Sequence, residues 1–301
     1  MTLFLELLKS IFYGIVEGIT EWLPISSTGH LILVEEWLPF AFTSDPVFLA
    51  EFTEMFQVVI QLGAILAVVI LFWSRLWPFD FKKTSAAQRR DIWQLWFKIA
   101  VASIPAALIG IVFDKILEKI SGKDMDGWLY NAPVVAVMLI VYGVAFILIE
   151  KYHAKKSVIP AVQTVDQITY KKALGIGAFQ ALSIIPGTSR SGSTILGSML
   201  LGLSRTAGAE FSFFMAIPAM VGASLLKAAG FFKFVLEENQ AVSLDAWLTL
   251  AIGCLVSLFV SLVVIRFLMD FVKKHSFSAF GVYRIVLGAL VLLYFFLPKA
   301  L

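Results

Sequence analysis

Five apolar runs, at 58–73, 99–113, 134–149, 248–269 and 285–297, are of helix length and too long for strands. In hydrocarbon a chain must satisfy its own backbone N–H and C=O groups, and a helix does so within one segment. Composition agrees: 59% of the residues are hydrophobic, 15% are charged and the mean hydropathy is +0.88. A soluble domain carries about 25% charged residues. The chain therefore reads as an all-α integral membrane protein in contact with membrane lipids. Its net charge of +3 lies in loop residues and sets orientation, which argues against nucleic-acid binding. The lone Cys254 can form no intramolecular disulfide and reads as a small buried hydrophobe. No cleavable signal is evident, since the first apolar stretch carries Glu17 and Glu21 and no small-residue cleavage pattern follows. Most of the tryptophans, such as Trp22, Trp73, Trp77, Trp96, Trp128 and Trp247, flank apolar runs as interfacial anchors do.

Two polar runs break this pattern. The first is Glu17-x-x-x-Glu21-x-x-Pro24-x-Ser26-Ser27-Thr28-Gly29-His30, and the second is Pro186-Gly187-Thr188-Ser189-Arg190-Ser191-Gly192-Ser193-Thr194. An ionisable group at bilayer depth costs about 3 kcal/mol or more, so each run is a functional-site hypothesis.

The runs also mark a weak repeat. Glu51-Phe52-Thr53 with Gly63-Ala64 is answered by Glu210-Phe211-Ser212 with Gly222-Ala223, at an offset of 159 residues. Glu17 falls seven residues before Pro24, and Gln180 six before Pro186. Each half, 1–150 and 151–301, reads as a broken polar segment followed by three spans, the two forming one structural unit. The segments 3–38 and 170–203 are long enough for two short helices meeting at the polar run, where proline interrupts the ladder. As re-entrant hairpins followed by odd numbers of spans, they make an inverted-topology repeat of six spanning helices whose hairpin tips meet near the midplane.

Charge favours this arrangement over a plain series of spans. It collects Arg75, Lys82, Lys83, Arg89, Arg90, Lys151, Lys155, Lys156, Lys171, Lys172, Lys273 and Lys274 on one side. The other side holds half as many (Lys9, Lys115, Lys119, Lys123, Lys233 and Lys299), mixed with Asp114, Glu118, Asp124, Asp126, Glu237 and Glu238. The positive-inside rule makes the first side cytoplasmic and both termini periplasmic.

Glu17 and Glu21, four apart, share a helix face with Cβ atoms roughly 6 Å apart. Two such carboxylates call for a cation between them or for one bound proton. Oxygen donors point to Mg²⁺ or Ca²⁺. Ser26, Ser27 and Thr28 stand where a helix begins, and capping alone explains one of them. His30 lies one turn beyond Ser27 and could share its proton traffic. Arg190 offers a forked donor for phosphate oxygens beside the hydroxyls of Ser189, Ser191 and Thr194 at a helix N-terminus. The plainer reading pairs Arg190 with a carboxylate, and both hold if the pair opens for substrate. Glu54, Gln57 and Gln61 form a polar stripe that either supports the site from behind or bonds neighbouring helices. Gly192, Gly197 and Gly202 read as close-packing positions. His153 and His275, beside loop lysines, read as solvated.

Taken together the runs resemble the undecaprenyl-pyrophosphate phosphatase family, whose members are also known as bacitracin-resistance proteins. The family's first motif, Glu/Gln-x-x-x-Glu leading into Pro-x-Ser-Ser-Thr-Gly-His, is matched at Glu17, Glu21, Pro24, Ser26, Ser27, Thr28, Gly29 and His30. Its second, Pro-Gly-x-Ser-Arg-Ser-x-x-Thr, is matched at Pro186, Gly187, Ser189, Arg190, Ser191 and Thr194. The resemblance implies a bacterial inner-membrane enzyme that removes the terminal phosphate of a C55 polyprenyl diphosphate for carrier-lipid recycling, and implies dimerisation.

On this reading Arg190, with Ser26, Thr28, Ser189, Ser191 and Thr194, binds the terminal phosphate. Glu17 and Glu21 hold the metal, or one of them is the base, and Ser27 attacks with help from His30. His30 as nucleophile and a metal-activated water remain alternatives. The rival class is a transporter or flippase for an anionic lipid or small anion, because inverted repeats with broken helices are transporter architecture.

Overall fold

The computed structural model describes residues 2–79, 85–121, 131–156 and 159–296. Lys82, Lys83, Lys123, Asp124, Asp126, Trp128 and Lys299 lie outside them. The described residues fold into α1 (Thr2–Thr20), α2 (Ser27–Trp37), α3 (Pro46–Val59), α4 (Gln61–Leu71), α5 (Trp73–Leu76), α6 (Ala86–Ser121), α7 (Ala132–Lys156), α8 (Tyr170–Ala181), α9 (Arg190–Leu200), α10 (Arg205–Glu237), α11 (Leu244–Lys274) and α12 (Ser278–Phe296). Among them six helical segments are long and apolar enough to cross a membrane: Pro46–Leu71, Ala86–Phe113, Ala132–Lys155, Arg205–Glu237, Leu244–Lys274 and Ser278–Phe295. This is a multi-pass helical membrane protein.

The apolar run at 58–73 is not one uninterrupted helix. It is divided at Ile60, where α3 ends and α4 begins. The polar runs fall between short helices: α1 and α2 flank 21–26, and α8 and α9 flank 182–189, which opens with a 3₁₀ turn at Leu182–Ile184. Both second helices start in the same way. Ser26 and Ser189 sit at φ of 75° and 70°, and each accepts a hydrogen bond from the glycine three residues on, Gly29 N at 3.3 Å and Gly192 N at 3.1 Å. A left-handed serine costs on the order of 1–3 kcal/mol, offset in part by the cap bond.

Small residues bring the helices close. α1 packs along α11, where a Cβ at Gly14 would lie 2.7 Å from the Gly253 carbonyl. α8 packs along α6, with Gly177 directly against Ala102. α7 and α12 meet at Gly143 and Gly281, each facing the other's carbonyl. With apolar surface available everywhere in lipid, such close backbone approach is what selects partners. Ion pairs tie further helices together: Glu150 accepts from Arg205 at 2.8 and 2.5 Å and from the Phe277 amide at 2.8 Å, joining α7, α10 and the start of α12. Arg75 likewise joins Glu210 of α10 to Asp166.

Candidate active site

The two polar runs come together. Glu21, in the turn after α1, lies between Ser27 at the first position of α2 and Arg190 at the first position of α9. Its Oε2 accepts a 2.5 Å hydrogen bond from Ser27 Oγ, and its Oε1 accepts one of 2.9 Å from Arg190 Nη2. Arg190 Nη1 donates to the Ser212 carbonyl of α10 at 2.7 Å, and the guanidinium lies 5.8 Å from the Trp22 ring. Nucleophile candidate, base and cation thus form one chain across residues 163 to 169 positions apart.

The hydroxyls divide into two sets. Ser191 Oγ contacts Ser189 Oγ at 3.0 Å and donates toward the Glu21 and Leu23 carbonyls at 3.1 and 3.3 Å, stitching the second run to the first. Thr194 Oγ1 is engaged with the Arg190 carbonyl at 2.9 Å and Ser212 Oγ at 2.6 Å. These two therefore brace the site from within their hydrogen bonds. Ser26 and Ser189 cap α2 and α9. Thr28 is half-buried in the first turn of α2, beside the helix's open N–H groups.

The hydrogen bonds of His30 do not run to Ser27. Its Nδ1 lies 2.7 Å from the Ser26 carbonyl and its Nε2 2.7 Å from the Tyr283 hydroxyl. A carbonyl only accepts, so Nδ1 carries the hydrogen and Nε2 is the acceptor, taking the hydroxyl of Tyr283. The proton of Ser27 has a direct partner in Glu21 instead.

Glu17 is fully buried, and both of its carboxylate oxygens lack a hydrogen-bond partner. A carboxylate taken out of water in this state needs a proton or a cation. Among the described residues no group of three or more His, Cys, Asp or Glu converges on a metal position. Two carboxylates suffice for Mg²⁺ when substrate phosphates supply further oxygens, so Glu17 and Glu21 fit a cation that arrives with a phosphate.

The stripe at Glu54, Gln57 and Gln61 points elsewhere. Gln57 donates to Glu35 of α2 at 2.7 Å, Glu54 pairs with Lys227 of α10, and Gln61 belongs to the next helix beyond the break at Ile60. Of its two readings, helix-to-helix bonding holds for Glu54 and Gln57. The Glu54 side chain is half-exposed, at 51%, and Gln57 and Gln61 are half-buried.

Two site residues came from outside both runs. Tyr283 holds His30, and Arg284 donates to the carbonyls of Pro24, Gly187 and Thr188 in the two turns. A basic residue among apolar neighbours is itself a signal. The apolar run beginning at 285 leaves Arg284 just outside its edge, whereas α12 begins at Ser278 and carries it inward.

The family described as "Bacitracin resistance protein BacA" matches residues 10–290. The chain is 52% identical over 292 residues to a protein of Enterococcus faecalis named undecaprenyl-diphosphatase, covering 96% of this chain and 97% of that one. A protein of the same name from Acetivibrio thermocellus is 50% identical over 291 residues, covering 97% and 98%. Undecaprenyl-diphosphatase 1 of Clostridioides difficile is 49% identical over 293 residues, covering 97% of each chain.

Proposed function

The chain belongs to the bacitracin resistance protein BacA family, and we propose that its site works by a serine nucleophile with a glutamate base. The activity is that of its relatives: a membrane hydrolase that converts undecaprenyl diphosphate to undecaprenyl phosphate, the reusable carrier lipid of cell-wall synthesis. The observation that carries the mechanism is the chain Ser27–Glu21–Arg190, in which one carboxylate holds both the proton of a hydroxyl and a cation.

At rest Arg190 is neutralised by Glu21. An incoming terminal phosphate offers Arg190 a better match for its fork, joined by the open N–H groups at the starts of α2 and α9. Ser27 Oγ attacks the terminal phosphorus as its proton passes to Glu21 Oε2. The bond from phosphorus to the bridging oxygen breaks, and undecaprenyl phosphate departs with that oxygen. Water then takes the place of the Tyr283 hydroxyl at His30 Nε2 and attacks the phosphoserine, its proton passing to His30. The bond from phosphorus to Ser27 Oγ breaks, Ser27 Oγ recovers the proton held by Glu21, and inorganic phosphate leaves with the proton from His30. A divalent cation, Mg²⁺ or Ca²⁺, would be held by Glu17 and Glu21 and would neutralise phosphate charge.

The finer architecture follows the inverted-repeat reading. α2, α8 and α9 have 11, 12 and 11 residues, or about 16–18 Å at 1.5 Å per residue, roughly half of a bilayer core. This supports a re-entrant hairpin at about 170–203 from both of its arms and one at about 3–38 from α2, α1 being longer at 19 residues. Gly14 and Gly177, Glu17 and Gln180, Ser26 and Ser189, and Gly29 and Gly192 are all 163 apart. The 159-residue offset of the following spans differs by four because 38–45 has eight residues and 201–204 has four. α1 on α11 mirrors α8 on α6. The basic loops give an inner-membrane protein with both termini periplasmic.

The test is phosphate release from undecaprenyl diphosphate by purified protein. Wild type releases phosphate and Ser27→Ala does not. No release by active-site-intact protein, with lipid binding retained, would indicate transport instead.

A further inference from the structure

The guanidinium of Arg284 is fully buried, and each hydrogen bond it makes runs to a backbone carbonyl. Nη1 donates to Pro24 O at 3.0 Å, Nη2 to Gly187 O at 2.6 Å and Thr188 O at 3.0 Å, and Nε reaches Leu139 O at 3.5 Å. Pro24 belongs to the turn before α2, and Gly187 and Thr188 to the turn before α9. One planar group therefore ties the two turns together, with its face 5.4 Å from the Tyr142 ring. No Asp or Glu pairs with it among the described residues, and Glu21 is engaged with Ser27 and Arg190. An ion buried without a counter-charge is strongly disfavoured even after relaxation.

Packing alone does not demand a charge at this position. Gly143 and Gly281 face each other reciprocally, so Arg284, three residues after Gly281, corresponds to Phe146, three after Gly143. Phe146 is equally buried and lies 5.7 Å from the Phe277 ring. The helices run antiparallel, since Gly288 in turn meets the Ala136 carbonyl, so the two positions are related by the local two-fold of the pair, and one holds an aromatic ring where the other holds a guanidinium. Gly192 is an independent sign. A Cβ there would stand 3.0 Å from Arg284 Nη1, so the first turn of α9 lacks a side chain where the guanidinium passes.

We infer that Arg284 is a positioning residue of the phosphatase site: it holds both turns in register so that Ser27 and Arg190 face one phosphate, and the substrate phosphate answers its unpaired charge. The inference rests on the phosphatase reading and adds a residue from outside both polar runs. A lysine would keep the charge, yet its single ammonium on a flexible stem lacks the planar fork that reaches both turns.

The experiment uses the full chain in detergent with undecaprenyl diphosphate as substrate and inorganic phosphate as inhibitor, on wild type, Arg284→Lys and Gly192→Ala. Arg284→Lys is expected to lose at least about 100-fold in kcat, on the scale of a lost preorganised donor. Its Ki for phosphate is expected to rise about tenfold or more, with helical content unchanged. Gly192→Ala moves the guanidinium without removing it and is expected to shift both quantities in the same direction by a smaller factor. Wild-type kcat and Ki in both variants would overturn the inference. So would a lowered Tm with unchanged kcat and Ki in the folded fraction, the mark of a mere brace. Should Arg284→Lys fail to fold, arginine-selective ¹⁵N spectra of the wild type decide, with the Arg190 signal identified from Arg190→Lys. A buried guanidinium resonance that moves as phosphate inhibits supports the inference, and one that stays fixed at saturating phosphate defeats it. Wild-type protein that binds phosphate but hydrolyses no diphosphate would refute the phosphatase reading separately.

Discussion

Glu21→Gln isolates the chemistry of the central carboxylate with almost no change in shape. Glu21 now accepts on both oxygens, from Arg190 at 2.9 Å and from Ser27 at 2.5 Å. Glutamine has one acceptor oxygen and one donor nitrogen. If the oxygen faces Arg190, the amide nitrogen faces Ser27 and the serine loses its proton acceptor. If the amide turns over, two donors confront each other at Arg190. Either way Ser27 is attached to a group that cannot take its proton. General bases contribute about 10²–10⁴ in rate, which is about 2.7–5.5 kcal/mol of barrier. Each charge-assisted hydrogen bond lost adds up to about 3 kcal/mol. We therefore expect kcat to fall by at least about 10³-fold, with KM near the wild-type value because Arg190 stays bound to the Ser212 carbonyl and open to phosphate. The assay is steady-state phosphate release from undecaprenyl diphosphate in detergent, after circular dichroism has shown the variant to be folded. A folded Glu21→Gln protein within about tenfold of wild type would refute Glu21 as the base.

Arg190→Lys keeps charge but loses the fork, and is expected to lower kcat about 10²-fold; near-normal turnover of folded protein would remove the clamp. His30→Gln should stop the second step and leave phosphate on Ser27, visible by mass spectrometry of the Ser27 peptide. An unmodified peptide during turnover would return both steps to Glu21. Excess EDTA should abolish activity reversibly, and Glu17→Gln should weaken the response to added Mg²⁺; full activity in EDTA would leave Glu17 as a protonated structural group. In a Cys254→Ala background, cysteines at Lys172 and Lys274 should be shielded from an impermeant thiol reagent in intact cells while one at Glu238 labels. The opposite pattern would reverse the orientation.

The polar runs were legible because their residues violate the solvent. Glu17, Glu21 and Arg190 have no place in hydrocarbon unless something there needs them, and the structure joins Glu21 to Arg190. The helical class and the spans follow from the same solvent rule. Partner assignment within the site did not follow. Spacing puts His30 one turn from Ser27, but the left-handed Ser26 turns α2 so that His30 meets Tyr283 while Ser27 meets Glu21. Sequence spacing inside a helix cannot report the angle of its first turn. Arg284 was hidden by its position at the edge of an apolar run. Glu54 and Gln57 show the reverse: helical spacing places them on one face but does not say which neighbours that face meets, here Lys227 and Glu35.

On the inverted-repeat reading, Ser27 and Arg190 are the same position of the repeat, each following a serine cap with positive φ and each two residues before the glycine that the cap binds. Duplication supplies two helix N-termini converging on one volume, a ready site for an anion. It does not by itself supply chemistry, because two identical halves would bring two nucleophiles or two cations. The halves differ where reaction requires it. One carries a hydroxyl with a carboxylate one turn before its hairpin tip, and the other carries a guanidinium, with Ile184 standing where the first half has Glu21 and Gln180 where it has Glu17. Four carboxylates in one buried volume would repel phosphate. Two leave room for it, provided that cations answer them, and Arg190 and Arg284 are those the site contains. On the proposed mechanism the second half, which has Gln180 and Ile184 in place of the carboxylates and carries both arginines, binds, while the first half, with Glu21 beside Ser27, reacts.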